Sequence, residues 1–210
     1  MNIKNNTNFN KISIIDYGVG NIGSISNIIK KLGGLSEVLA DPDELTNSKK
    51  IILPGVGSYD VGMRALNSSG FSKSILKAVE NGATILGICL GMQLLFEYSE
   101  EGHEKGLGLI EGQVKKFKSG DIKIKVPHMG WNIVTPTIDS PLFKSSDEEL
   151  RYYHVHSYHV ICDEKYITAV TNYGYQFPSA VQSSNIYGVQ FHPEKSHRFG
   201  FQLMTRFISL

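Results

Sequence analysis

The stretch Ala83-Thr84-Ile85-Leu86-Gly87-Ile88-Cys89-Leu90-Gly91-Met92-Gln93 joins a short, apolar, β-branched run to a segment of good helix formers. Residues 83–86 read as a buried strand. Residues 90–98 read as a helix, with Leu90, Leu94 and Leu95 at helical spacing. Cys89 is therefore pinned at a strand-to-helix turn with a glycine two residues to either side, the G-x-nucleophile-x-G elbow with sulfur in place of oxygen. The glycines allow a tight turn, and the amides opening the following helix favour a thiolate. The competing reading is a buried structural cysteine. Flanking glycines have no packing purpose on a plain strand, so the nucleophile is the better account.

Working outward, residues 50–53 form a strand that runs into Pro54-Gly55-Val56-Gly57-Ser58. A glycine-rich loop there can turn a backbone N–H toward a reacting carbonyl, or it can be a simple Pro-Gly turn; the segment alone leaves both open. A helix follows from about residue 62 to 79, broken near 68–70. Earlier, a strand at 12–16 leads into Gly18-x-Gly20-x-x-Gly23 and a helix at 24–32, with Asp41 where a ribose-binding acid would fall. A dinucleotide site is thus a competitor. The second strand, at 37–39, is short and ends in Ala40-Asp41-Pro42, so Asp41 equally serves a turn, and a lone glycine fingerprint is a weak signal. The order β-α-β-β-α-β-α gives an α/β fold with a mostly parallel central sheet flanked by helices.

Beyond residue 102 the texture changes. Alternation at 113–126 and 166–173 suggests shorter, partly antiparallel strands, and a smaller, partly antiparallel sheet is expected beside the parallel one. Val126-Pro127-His128-Met129-Gly130-Trp131-Asn132 reads as a loop, either core or docking surface. His154, His156 and His159 follow, the first two on one strand face, but no further ligands stand at workable spacing, so no metal is expected. A strand at 187–191 then enters His192-Pro193-Glu194. The proline biases His192 to an extended backbone, and alternation puts Glu194 on its side, able to hold the imidazole as the base half of a nucleophilic triad. A helix at 198–210 closes the chain, with Phe199, Leu203, Phe207 and Leu210 on its apolar face.

Composition bounds the function. The 210 residues suffice for one substantial domain, expected at 11–210 behind a flexible, polar, Asn-rich extension at 1–10. A net charge of +1 predicts neither nucleic-acid nor membrane binding. Two cysteines, Cys89 and Cys162, make no disulfide framework, and no run is long enough to span a bilayer, so a cytoplasmic protein is expected.

The elbow at 87–93, together with Gly188-Val189-Gln190-Phe191-His192-Pro193-Glu194, resembles the class I (triad) glutamine amidotransferases. Pro54-Gly55-Val56-Gly57-Ser58, Pro127-His128-Met129-Gly130-Trp131-Asn132 and His156-Ser157-Tyr158 narrow the likeness to the glutaminase subunits of imidazole glycerol phosphate synthase, in histidine biosynthesis. The resemblance implies Cys89 as nucleophile, His192 as general base and acid, and Glu194 as its orienting carboxylate. It implies an oxyanion site at Val56, Gly57 and Leu90, and a glutamine pocket lined by Gln93, Glu101, His156, Ser157 and Tyr158. Asn21, His128, Trp131 and Lys195 match the face such subunits present to a (β/α)8-barrel cyclase, with which they form a heterodimer that channels ammonia; no cofactor is implied. Asn21-Ile22-Gly23-Ser24 and Ser196-His197-Arg198-Phe199-Gly200 look more like a parallel branch that supplies ammonia for amidino-sugar formation in surface-polysaccharide pathways. A non-catalytic binding subunit is a third reading, opposed by the intact Cys89, His192 and Glu194. Movement of residues 54–58 on activation is a further expectation.

Overall fold

The computed structural model describes residues 11–118, 124–144 and 149–210; the expected extension at 1–10 and part of the 113–126 stretch lie outside them. In chain order the elements are β1 (Ile12–Ile15), α1 (Ile22–Lys31), β2 (Ser36–Leu39), β3 (Lys50–Leu53), α2 (Tyr59–Ser69), α3 (Phe71–Glu80), β4 (Thr84–Ile88) and α4 (Leu90–Leu94). They continue with β5 (Tyr98–Ser99), β6 (Gln113–Lys116), β7 (His128–Pro136), β8 (Leu150–His156), β9 (Tyr158–Ile161), β10 (Ile167–Tyr173), β11 (Tyr175–Ser183), β12 (Ile186–Val189) and α5 (His197–Ser209).

The main sheet runs β2-β1-β3-β4-β12-β11-β10-β7-β8. Its first five strands are parallel, and from β11 onward neighbours are antiparallel. The run of isoleucine and leucine in β1 and β3 is buried on both faces, as a helix-covered parallel sheet requires. Alternation divides those side chains between two cores. Ile15, Ile51, Leu53 and Ile85 pack under α2 and α3, whereas Ile14, Ile52, Leu86 and Ile88 pack under α1 and α5. The smaller sheet, β5-β6-β9, carries the turn after α4.

Gly70, at φ 85°, caps α2 and separates it from α3 at the break expected near 68–70. Three expectations need correction. The helix after the elbow stops at Leu94, because the carbonyls of Leu94 and Leu95 accept from the amides of Leu107 and Leu109 instead of continuing the turn. Residues 128–132 are not loop but the start of β7, whose backbone pairs with β8 from His128 opposite His156 to Val134 opposite Leu150. The apolar face of α5 is Gly200, Leu203, Met204, Phe207 and Ile208, while Leu210 is 45% exposed and Phe199 only partly covered.

Candidate active site

Strands β3, β4 and β12 lie side by side, so the segments leaving their C-terminal ends meet at one edge of the sheet. The first is Pro54–Ser58, the second Cys89 and the third His192. Cys89 sits at φ 55°, ψ −111°, a conformation that L residues avoid and that persists only where packing imposes it. The packing is visible. A Cβ on Gly91 would stand 1.9 Å from the Leu53 carbonyl oxygen, so the turn lies directly on the end of β3. The Cys89 amide donates to the Val189 carbonyl at 2.8 Å, tying the elbow to β12 on its other side.

His192 keeps the extended backbone expected before proline. Its Nδ1 is 2.8 Å from Glu194 Oε1. Strand alternation is not the reason, as expected earlier: Pro193–Lys195 is a 3-10 turn that folds the carboxylate back onto the ring. The Ser196 hydroxyl donates to the His192 carbonyl at 2.6 Å and accepts from the Tyr153 amide at 3.0 Å, clamping the imidazole's backbone to β8. Burial works against the cation, but the facing Cys89 sulfur and the Glu194 carboxylate outweigh it and hold the His192 pKa up at about 10. Nε2, the nitrogen left to move a proton, makes no hydrogen bond among the described residues.

A cavity of about 310 Å³ opens over the sulfur. Val56, Gly57 and Leu90 line it together with Gln93, Glu101, His156, Ser157 and Tyr158, and Cys89 and His192 are in its wall. Gly57 is at φ +100°, a conformation that glycine reaches without strain. Leu90 opens α4, where the first amides have no turn behind them to bond. Glu101 accepts from the Tyr59 amide at 2.9 Å; burial raises its carboxyl pKa against that bond, helped by Asp60. Trp131 is 47% exposed and Lys195 is exposed, while Asn21 is half-buried. His128, expected on the partner face, is 2% exposed and points inward, because its position in β7 alternates with the outward Met129 and Trp131.

Sequence reading missed two residues that touch the nucleophile's surroundings. Gln190, wholly buried, donates from Nε2 to Cys89 Sγ at 3.9 Å; its two-residue offset from His192 was the available signal. Tyr17 donates to the Pro54 carbonyl at 2.7 Å, and its hydroxyl pKa is pushed well up by burial and by Cys89. The other thiol, Cys162, is a contrast: burial and Asp163 raise its pKa to about 11, which keeps it a thiol.

In the glycine fingerprint, the turn role offered for Asp41 is the one seen. Gly20 packs against the Pro54 ring, Gly23 has nothing near the position of a Cβ, and the Asp41 carboxylate is taken by the Asp43 amide at 2.9 Å.

The structure does assemble one set of histidines that spacing could not reveal. The pairing of β7 with β8 brings His128 to His154 and His156, with ring nitrogens within 4.8 Å of one another. Their protons are fixed by their neighbours. Asn132 Oδ1 accepts from the Ile133 amide, so its Nδ2 donates to the Asn172 carbonyl at 3.0 Å and to His128 Nε2 at 3.1 Å. His128 is therefore protonated on Nδ1, which donates to His156 Nε2 at 3.1 Å, and His156 Nδ1 donates to the Tyr158 carbonyl at 2.7 Å. His154 Nδ1 also points at His156 Nε2, at 3.2 Å, and the other nitrogen of His154 is buried without a partner, so the proton is on Nδ1. In this pattern two of the three converging nitrogens carry hydrogens.

Burial holds all three rings neutral, His128 down to about 4, His156 down to about 3 and His154 also well down. The unfolded chain protonates them near the ordinary histidine value of about 6.5, so the unfolded state binds more protons below that pH. Stability due to the cluster is complete above about pH 6.5 and is lost as pH falls through the folded values of about 4 and 3. A loss of several kcal/mol is expected, read as a falling urea midpoint between pH 7 and 4 at unchanged m-value.

Comparison with known proteins agrees with this geometry. The sequence matches the glutamine amidotransferase class-I family over residues 13–208. It is 51% identical over 199 residues to imidazole glycerol phosphate synthase subunit HisH 2 of Methanococcus maripaludis, covering 94% of this chain and 98% of that one. The corresponding HisH 2 subunit of Pseudomonas aeruginosa is 43% identical, over 95% of this chain and 99% of its own. Among solved structures, PurLQS of Thermotoga maritima superposes with a TM-score of 0.76 at 22% identity, covering 95% of this chain and 97% of that chain, a likeness of fold. An elbow cysteine facing a carboxylate-held imidazole, in a chain of this length and identity, places the protein among the class-I glutamine amidotransferases, within the HisH subunits of imidazole glycerol phosphate synthase.

Proposed function

We propose that this chain is the glutaminase subunit of imidazole glycerol phosphate synthase, with Cys89, His192 and Glu194 as its triad, and that it passes ammonia to a (β/α)8-barrel cyclase partner. The observation that carries the reading is a Cys89–His192–Glu194 arrangement in a cavity that is also lined by the acceptors Gln93 and Glu101. The Gln93 amide spends both its hydrogens on Tyr158 and Gln190, so its Oε1 and the Glu101 carboxylate are left to receive the ammonium group of an amino acid. Held there, glutamine would have its side-chain amide free to reach the sulfur.

The chemistry follows from the protonation states. Cys89 thiolate attacks the amide carbon, and backbone amides of Gly57 and Leu90 take the charge developing on oxygen. His192, protonated at neutral pH, gives its Nε2 proton to the departing nitrogen, releasing ammonia and leaving a glutamyl thioester. The neutral imidazole then takes a proton from water, whose oxygen attacks the thioester; glutamate leaves and the thiolate–imidazolium pair is restored. Glu194, 2.8 Å from Nδ1, orients the ring and stabilises the cation.

The two segments that look like the amidino-sugar branch bear on the partner rather than on the pocket. His197 stacks on the exposed Trp131 ring with centroids 5.6 Å apart, and α1 packs against the Pro193–Lys195 turn. A different ammonia acceptor is the second reading, and one experiment separates the two. The chain is purified with its own cyclase-type partner and supplied with glutamine and the phosphoribulosyl substrate. Imidazole glycerol phosphate is the expected product; glutamine hydrolysis without that product assigns the chain to the other branch, and no hydrolysis at all rejects the glutaminase reading.

A further inference from the structure

The histidine cluster under β7 and β8 does more than fill the core. Its hydrogen bonds have a single consistent direction, and they end at the reacting sulfur. Asn132 fixes His128, and His128 and His154 both aim N–H groups at one acceptor, His156 Nε2. That leaves His156 only its Nδ1–H to give, and it gives it to the Tyr158 carbonyl. The second lone pair of that carbonyl accepts from Gln93 Nε2 at 3.1 Å, and the other Gln93 hydrogen goes to Gln190 Oε1 at 3.0 Å. Gln190 is then turned so that its own amide hydrogens face Cys89 Sγ. Reversing any ring or amide in the series sets two acceptors or two donors face to face.

We propose that His128 and His154 are positioning residues for glutamine hydrolysis. Acting through His156, they lock the Tyr158 carbonyl, and so hold Gln93 with only its carbonyl oxygen presented to the substrate. This rests on the reading of the cavity as the glutamine pocket. Neither ring lines the cavity, both being shut behind its wall, 2% and 0% exposed. Two donors on one acceptor make the lock redundant. If one is lost, the other still holds the His156 ring in place. If both are lost, nothing but their own 2.7 Å bond keeps the imidazole in line with the Tyr158 oxygen, and the ring can turn away from it. The carbonyl is then no longer fixed, and Gln93 loses the partner that orients it.

The test is a double-mutant cycle, His128→Phe, His154→Phe and the pair, with His156→Phe and His156→Asn beside it, all assayed in the complex with the cyclase partner. Each single Phe variant is expected to raise KM for glutamine by no more than about 1.5-fold, and the pair by about tenfold or more, well beyond the roughly twofold product of the two. His156→Phe should match the pair. His156→Asn, which keeps an N–H close to where Nδ1 was, should recover most of the loss. Synthesis from added ammonium salts reports that each variant still folds and docks. A merely structural role would lower melting temperatures and leave the KM pattern flat. Multiplicative single effects, or His156→Asn no better than His156→Phe, overturn the proposal. A wild-type complex that hydrolyses no glutamine overturns instead the reading on which it rests.

Discussion

Cys89→Ala should abolish glutamine-dependent synthesis, cutting glutamine turnover by at least ~10³-fold, while ammonium salts restore product formation in the same preparation. The size of the effect follows from the site having one sulfur and no substitute. Cys162 has its pKa raised to about 11 by burial and Asp163 and is held as a thiol, and it does not line the cavity. Removing the sulfur also removes one of the two partners that hold the His192 pKa near 10, so the proton donor's charge is held less firmly in the variant. The fold should survive. Alanine at φ 55° is no more strained than cysteine there, and one buried sulfur leaves little space. Glutamate release, product formation from ammonium salts and thermal unfolding of the variant together check the three parts. Glutamine turnover at the wild-type rate in Cys89→Ala would remove Cys89 from the mechanism.

Gly91→Ala should fail to give folded protein, or lose more than about 4 kcal/mol if any is recovered. The added methyl would meet the Leu53 carbonyl oxygen at 1.9 Å and the carbon of that carbonyl at 2.9 Å. Both are backbone, in the middle of the parallel sheet, and neither can rotate aside as the end of a side chain could. Relief would require β3 to part from the elbow, and with it the pairing of Leu53 with Gly87. Gly23→Ala is the control. It lies in the exposed first turn of α1 with nothing within 4 Å of a Cβ, so the same change should be neutral or stabilise by up to about 1 kcal/mol. Soluble yield and thermal midpoint of the two variants, measured side by side, should differ in opposite directions from the wild type.

The parallel half of the sheet was legible because β1, β3 and β4 are short apolar runs rich in isoleucine that lead into glycine-bearing turns, a pattern that local chemistry alone explains. The triad was legible for the same reason: Cys89 and His192 each sit at the end of such a strand, in a motif with its own geometry. What escaped was whatever depends on partners far along the chain. Pro127, Gly130 and Trp131 look like loop residues until β8 is placed beside them, and only the opposition of His128 and His156 across that pair turns His128 inward. The early end of α4 has a similar origin, in amides of residues 107 and 109 that sequence patterning cannot bring to Leu94 and Leu95. The face of α5 was misjudged by part of a turn, because Gly200 packs against the Pro193 carbonyl and sets the helix closer than its large side chains suggest.

The adjacency of β4 and β12 has a consequence for synthesis on the ribosome. Cys89 and Gln190 are neighbours in the folded protein but stand 101 residues apart along the chain. At about 5–20 residues per second, the elbow emerges several seconds or more before the strand that delivers its base. Through that interval the nascent chain holds a cysteine without an imidazole, and strand β4 without β12 beside it. Competence to release ammonia is thus acquired in one late event, the insertion of the last parallel strand, and a chain truncated before residue 186 has no route to it.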